Sequence, residues 1–172
     1  MLDINSPLEM ALAYAGNGWA VLPLHTAVES VCDCRKACAS PAKHPRTMAG
    51  FKDATTDEAK IRHWWGMWPE ANIGIATGAV SGIFVVDIDP YHGGMETIET
   101  LKEKGIVLHQ TAQVLTQNDG FHLYYQYAGK KGKGTMGKGI DVKSDGGYVV
   151  APPSIGIQGR YTWQVAMEPQ AF

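Results

Sequence analysis

Through the first hundred residues, apolar positions at helical spacing alternate with short apolar runs of strand type, and beyond Gly105 the pattern turns β-rich. Ser6-Pro7 followed by LEMALAYA predicts a capped helix with proline at its first position, closed by Gly16. Residues 19–24 form an apolar strand, and Thr56-Asp57-Glu58 opens a second helix through IRHWWGMW that Pro69 stops. Residues 72–77 and 83–89 predict two strands joined by Gly78-Ala79-Val80-Ser81-Gly82, and residues 95–104 a third helix. The strand runs 113–116 and 121–127 flank the turn Gln117-Asn118-Asp119-Gly120. A glycine-lysine loop over 129–139 leads to strands at 140–143 and 148–151, which flank Ser144-Asp145-Gly146-Gly147, and a further strand is expected at 161–164. Residues 25–50 carry no periodicity and read as a loop that needs something to order it. The whole predicts an α+β fold, helices packed on a mainly antiparallel sheet, in one domain over residues 1–172 without internal repeat.

Composition narrows the function. A chain of 172 residues with 45% hydrophobic content can bury a proper core, and disorder would need fewer apolar residues and more net charge. No apolar run approaches a membrane span, and the N-terminus lacks the pattern of a signal peptide, so the cytoplasm is expected and no membrane partner. All three cysteines fall between Cys32 and Cys38, which suits a metal site in a reducing compartment better than a disulfide framework. The net charge of −2 argues against a simple nucleic-acid-coating protein, although lysines cluster at Lys130, Lys131, Lys133, Lys138 and Lys143.

The sharpest chemical signal is IFVVDIDP, residues 83–90. Alternation along a strand projects Asp87 and Asp89 to one side and Ile88 to the core. Two carboxylates so placed repel unless a divalent cation neutralises them, and all-oxygen ligands suit Mg²⁺ or Mn²⁺. Asp141, between Ile140 and Val142, and Lys143 share a face of a later strand, as do His122 and Tyr124 of GFHLYY. Three aspartates, a histidine and a lysine can therefore line one face of a single sheet. Metals held by Asp87, Asp89 and Asp141 could activate a 3′-hydroxyl and stabilise leaving pyrophosphate, with His122 and a lysine holding triphosphate. A metal-dependent nuclease would also use aspartates and a histidine, and a non-catalytic template-binding module is the third reading.

The order DID, then NDGFHLYY, then GIDVKSDGGYVVAPPS resembles the N-terminal domain of bifunctional DNA primase/polymerases of the archaeo-eukaryotic primase superfamily, over residues 8–164. NIGIATG, Lys43 and Pro45 in AKHPR, and the Trp64-Trp65 helix belong to the same resemblance. It implies a template-dependent nucleotidyltransferase acting in replication of a phage, plasmid or mobile element, with an RRM-like sheet flanked by an N-terminal α/β unit. It matches Asp87, Asp89 and Asp141 to metal ligands and His122 to the contact with the incoming nucleotide's phosphates. Primed or single-stranded DNA and dNTPs or NTPs are the implied partners, with a helical accessory segment and a helicase further along a longer protein. The chain departs from the pattern at Asn118-Asp119-Gly120, where a serine or glycine pair is frequent, and at Lys143, where arginine is common.

Cys32, Cys34, Cys38 and His44 form C-x-C-x3-C-x5-H, a full set for structural Zn²⁺, with His25 as a substitute for His44. Such a loop would position Lys43 and Arg46 for phosphate or template contacts. GKKGKGTMGKG is expected to meet template phosphates through Lys130, Lys131, Lys133 and Lys138. Trp64, Trp65 and Trp68 recur at helical spacing and read as core, whereas Tyr124 is expected beside a nucleotide.

Overall fold

A computed structural model describes residues 6–129 and 134–165. It is α+β, with three α-helices and strands that pair antiparallel throughout the described residues. Helix α1, Pro7–Gly16, starts at a reciprocal cap: Ser6 Oγ accepts from Glu9 N–H and the Glu9 carboxylate accepts from Ser6 N–H. Strand β1, Val21–Leu24, is followed by a small hairpin of β2, Ala27–Val28, and β3, Val31–Cys32. Helix α2, Glu58–Met67, begins where the Asp57 carboxylate accepts from Lys60 N–H. Then come β4, Asn72–Ala76, β5, Ile83–Ile88, and α3, Gly94–Glu103. The rest is β: β6, Ala112–Leu115; β7, Phe121–Gln126; β8, Gly134–Gly137; β9, Ile140–Lys143; β10, Tyr148–Ala151; and β11, Thr162–Val165.

A three-stranded sheet has the order β1-β4-β10, and a six-stranded sheet the order β11-β6-β7-β5-β9-β8. Strand β4 is buried at every position because it is central and covered on both faces, which is why IGIA after Asn72 reads as an unbroken apolar run. The main core joins this sheet and the first two helices (Tyr14, Trp65, Ile73) to one face of the larger sheet (Val85, Val114, Tyr124). The opposite face, with Val86, Ile88, Leu123 and Ile140, packs under Leu101 and Ile98 of α3. Each of the large side chains fully removed from water here contributes about 1.5–3 kcal/mol. Alternation on β5 thus serves two cores at once, and the face of Val85 runs on to Asp87.

Two stretches depart from the sequence expectation. Residues 25–50 contain the β2–β3 hairpin and are tied to the sheet by a Leu24–Pro45 bridge and by Asn72, whose Nδ2 donates to the Ala42 carbonyl at 3.0 Å. Within 129–139, residues Gly134–Gly137 form an edge strand on β9. Its register shifts between Thr135 and Gly137, and that irregularity hides the strand from any period-two reading.

Candidate active site

Strand β5 lies between β7 and β9, and the register sets Asp87 directly opposite both His122 and Asp141. Residues opposite one another in an antiparallel pair share a face, so the two carboxylates and the imidazole emerge on the same side. Asp89 continues β5 in extended conformation and caps a 3₁₀ turn at Pro90–His92. Its carboxylate accepts from Tyr91 N–H at 3.0 Å and meets His92 Nδ1 at 2.7 Å.

The turn bearing Asp89 sits on the turn that leads into Asp141. Asp89 N–H donates to the Gly139 carbonyl at 2.8 Å, and Gly94 N–H donates to the Asp89 carbonyl at 2.9 Å. Gly139 has φ +72°, and a Cβ there would press on Gly94 N and lie 2.8 Å from the Asp89 and His92 carbonyl oxygens. Only glycine admits this approach.

His122 is buried, with Nε2 3.6 Å from Asp87 Oδ1. Burial holds its pKa below the ordinary histidine value, Asp87 pulls it upward, and the Lys143 and Lys43 charges lower it further. The ring is therefore neutral near pH 7, and its buried Nδ1 has no hydrogen-bond partner of normal geometry. Lys143 Nζ pairs with Asp141 Oδ2 at 3.0 Å.

These groups line a cleft between the two sheets. A cavity of about 340 Å³ is bounded by Asp87, Asp89, Asp141, His122, Lys43 and Tyr161, among others. A second, of about 400 Å³, shares Lys43, Asp87, His122 and Tyr161 and adds Lys143 and Tyr148. Tyr161, Gln117 and Asn118 are cleft residues that the sequence reading did not single out. Tyr161 stood only as a strand start, Gln117 only as a turn former, and Asn118 only as a turn former and a departure from the family pattern.

Three expectations need correction or fall outside the structure. Tyr124 is fully buried and stacks on Trp19 at 5.7 Å between ring centroids, so it belongs to the core and does not reach a nucleotide. The strand alternation was right, but the face of His122 becomes core one step further along. Its hydroxyl is buried without a partner, so Tyr124→Phe is expected to raise stability by about 1 kcal/mol and leave catalysis unchanged. Thermal melts beside an incorporation assay test this, and a large loss of activity would return Tyr124 to the site. Arg46, expected on the template, is committed elsewhere. Its side chain is 11% exposed, pairs with Asp33, donates to the Leu24 carbonyl at 3.0 Å and lies over Trp68. Lys138 runs along Gly93 beside α3, bordering a shallow pocket outside the two cavities. Lys130, Lys131 and Lys133 lie outside the described residues.

Metal-ligating groups cluster in two ways. Among the described residues, the sets gathered within 4.8 Å of one another are both in the cysteine loop: Cys32, Cys34, Cys38 and His44, and an overlapping set of His25, Cys32 and Asp33. The first fits tetrahedral zinc. Bonds of about 2.3 Å to sulfur and 2.0 Å to nitrogen give tetrahedron edges of about 3.8 and 3.5 Å. The Cys34–Cys38 sulfurs are 3.6 Å apart and Cys32 Sγ is 3.4 Å from His44 Nε2. Burial and the neighbouring thiols push the Cys38 pKa up to about 11, a crowding that a divalent cation relieves. His25 stacks on His44 at 4.2 Å and hydrogen-bonds Asp33, supporting the His44 set from behind. The three cleft aspartates converge less tightly, since His92 holds the Asp89 carboxylate and Lys143 holds that of Asp141. Their fit to a cation rests on the direct opposition of Asp87 and Asp141, like charges that a sheet does not tolerate cheaply.

Fold and cleft together define an α+β domain whose sheet presents carboxylates beside a cavity of about 340 Å³ that lysine and imidazole help to line. Residues 11–171, nearly the whole chain, match the family model of the bifunctional DNA primase/polymerase N-terminal domain, and the chain belongs to that family. Membership implies a DNA primase/polymerase nucleotidyltransferase, with a DNA template and nucleotide substrates, and this family of enzymes generally uses divalent metals. No curated protein matches the chain closely enough to add to this. Among the described residues, no helix is long and apolar enough to cross a membrane.

Proposed function

We propose that the cleft is the active site of a template-dependent primase-polymerase that joins dNTPs or NTPs, in which Asp87, Asp89 and Asp141 hold two Mg²⁺ or Mn²⁺ ions. The observation that carries this is the register that sets Asp87 between His122 and Asp141. When bound, the metals lower the pKa of the attacking 3′-hydroxyl and neutralise the charge that develops on the leaving pyrophosphate. The chain's own residues supply position and charge. His122, neutral and lining both cavities, meets the triphosphate, and Lys43 and Lys143 bring positive charge to the cleft. Nothing in the arrangement requires a protein nucleophile. The lysines favour this reading over a nuclease, which needs no triphosphate grip.

On this reading the six-stranded sheet is the RRM-like catalytic core, residues 1–172 act as one domain, and Lys130, Lys131 and Lys133 follow the template backbone. Replication of a phage, plasmid or mobile element in a host cytoplasm, with a linked or associated helicase, completes it. Cys32, Cys34, Cys38 and His44 hold a structural Zn²⁺, closed by four protein ligands and so without an open position for chemistry.

The test of the activity is incorporation of labelled nucleotide on single-stranded and on primed DNA with Mg²⁺ or Mn²⁺. Products on both templates are expected. Products on primed DNA alone restrict the activity to extension, and none on either would sink the proposal. For the zinc, metal analysis of the purified chain should find one equivalent, lowered at least severalfold by Cys34→Ser together with Cys38→Ser. Full zinc content in that double variant would reject the ligand set.

A further inference from the structure

Lys43 is held in an unusual way for a lysine in a loop. Three successive carbonyls, at Ala42, Lys43 and His44, are each gripped by a different part of the fold. Asn72 Nδ2 of β4 donates to the first at 3.0 Å, the Tyr148 hydroxyl of β10 to the second at 2.9 Å, and His25 N–H to the third at 2.9 Å. The same few residues are joined to the cysteine cluster at both ends. Ala42 N–H donates to Cys32 Sγ at 3.2 Å, and His44 is itself one of the four ligand groups. Ala42 is wholly buried and takes a left-handed φ of +58°, so this segment has no slack. Beyond it, the Lys43 side chain borders both cavities of the cleft, and its charge is felt at His122.

We infer that the cysteine loop is a metal-set latch on Lys43: a cation held by Cys32, Cys34, Cys38 and His44 fixes the backbone on both sides of Lys43, and so sets the affinity of the cleft for a nucleoside triphosphate. The inference rests on the proposed reading of the cleft and deepens it. The zinc site is then more than a fold staple, because its loss removes one phosphate-binding cation from the active site. Arg46 takes no part in the binding itself. Through Asp33 it ties the loop to Leu24 and Trp68.

The experiment measures direct binding of Mn²⁺·dATP, without turnover, to the zinc-loaded chain and to the chain stripped by a chelator that is then removed. Circular dichroism and melting confirm that the stripped protein stays folded. Wild type is compared with Lys43→Ala in both states. Stripping is expected to weaken binding by wild type about tenfold, Lys43→Ala by a similar factor, and stripping the variant by less than about twofold more, the non-additivity of two changes acting through one group. Should the stripped chain unfold, Tyr148→Phe supplies the test. It leaves every zinc ligand in place and frees the Lys43 carbonyl, and it is expected to weaken binding severalfold in the Lys43 protein and not in Lys43→Ala. Fully additive losses, or wild-type affinity after stripping, would overturn the latch while leaving the cleft reading intact. Absence of triphosphate binding by zinc-loaded wild type would overturn the cleft reading and the latch with it.

Discussion

Asp87→Asn and Asp141→Asn are each expected to reduce template-dependent incorporation by about a thousandfold or more, and neither is expected to unfold the protein. The two residues face one another across β5 and β9, on the exposed end of a face whose other end is core. On the proposed reading, asparagine keeps the shape and a hydrogen-bonding oxygen but removes the charge that would hold a divalent cation and let the triphosphate approach. The stability arm runs the other way. Like charges directly opposite in a sheet are destabilising by a few tenths to about 1 kcal/mol, so either change should leave the melting temperature unchanged or raise it by up to about 3 °C. Lower activity with equal or higher stability is the mark of a residue retained for chemistry at the expense of the fold. Incorporation assays beside melts of both variants decide this, and undiminished incorporation in either would falsify the metal-ligand assignment.

Gly139→Ala should show the second largest effect, this time on fold and activity together. At φ +72° an alanine costs about 1–2 kcal/mol from its own backbone, before its methyl group meets Gly94 and the carbonyls of Asp89 and His92. A combined loss of about 3 kcal/mol corresponds to a fall in melting temperature of roughly 10 °C for a domain of this size. Relief of the clash must move the Asp89 turn away from the strand that carries Asp141. A displacement of about 1 Å at a reacting centre is worth about a hundredfold in rate. Denaturation curves and single-turnover incorporation measure the two losses, and a stable, fully active Gly139→Ala would mean that the two turns are not coupled. Gly93→Ala is the useful comparison: it also has a positive φ, but its nearest neighbour is the flexible Lys138 side chain, so a smaller loss is expected.

Much of this was readable from residue order, for reasons that differ by element. The first two helices were legible because Ser6, Pro7 and Asp57 announce their starts in local chemistry. Strand β5 was legible because its alternation ends in two acids, and the later strands because Ile140-Asp141-Val142 interrupts apolar positions with a charge. Pairing was not legible. That β7 and β9 flank β5, with positions 122 and 141 both level with 87, is a long-range register that no local pattern contains. Tyr124 shows the limit most clearly: alternation gave its face correctly, but only the second sheet, packing over that face, decides where site stops and core begins. Arg46 went astray for a related reason, since its partners Asp33, Leu24 and Trp68 are brought together only by the ordered cysteine loop.

The central position of β5 has a bearing on how this protein can fail. A slip of β9 by a single residue would keep almost every backbone pairing satisfied, yet it would turn Ile140 outward and bury position 141 beneath α3. Such a molecule would have native helix and strand content by spectroscopy and no capacity to make nucleic acid. Full catalytic competence is therefore an assay of correct strand alignment in its own right, and an inert preparation of this domain with an ordinary circular dichroism spectrum should be refolded before it is discarded.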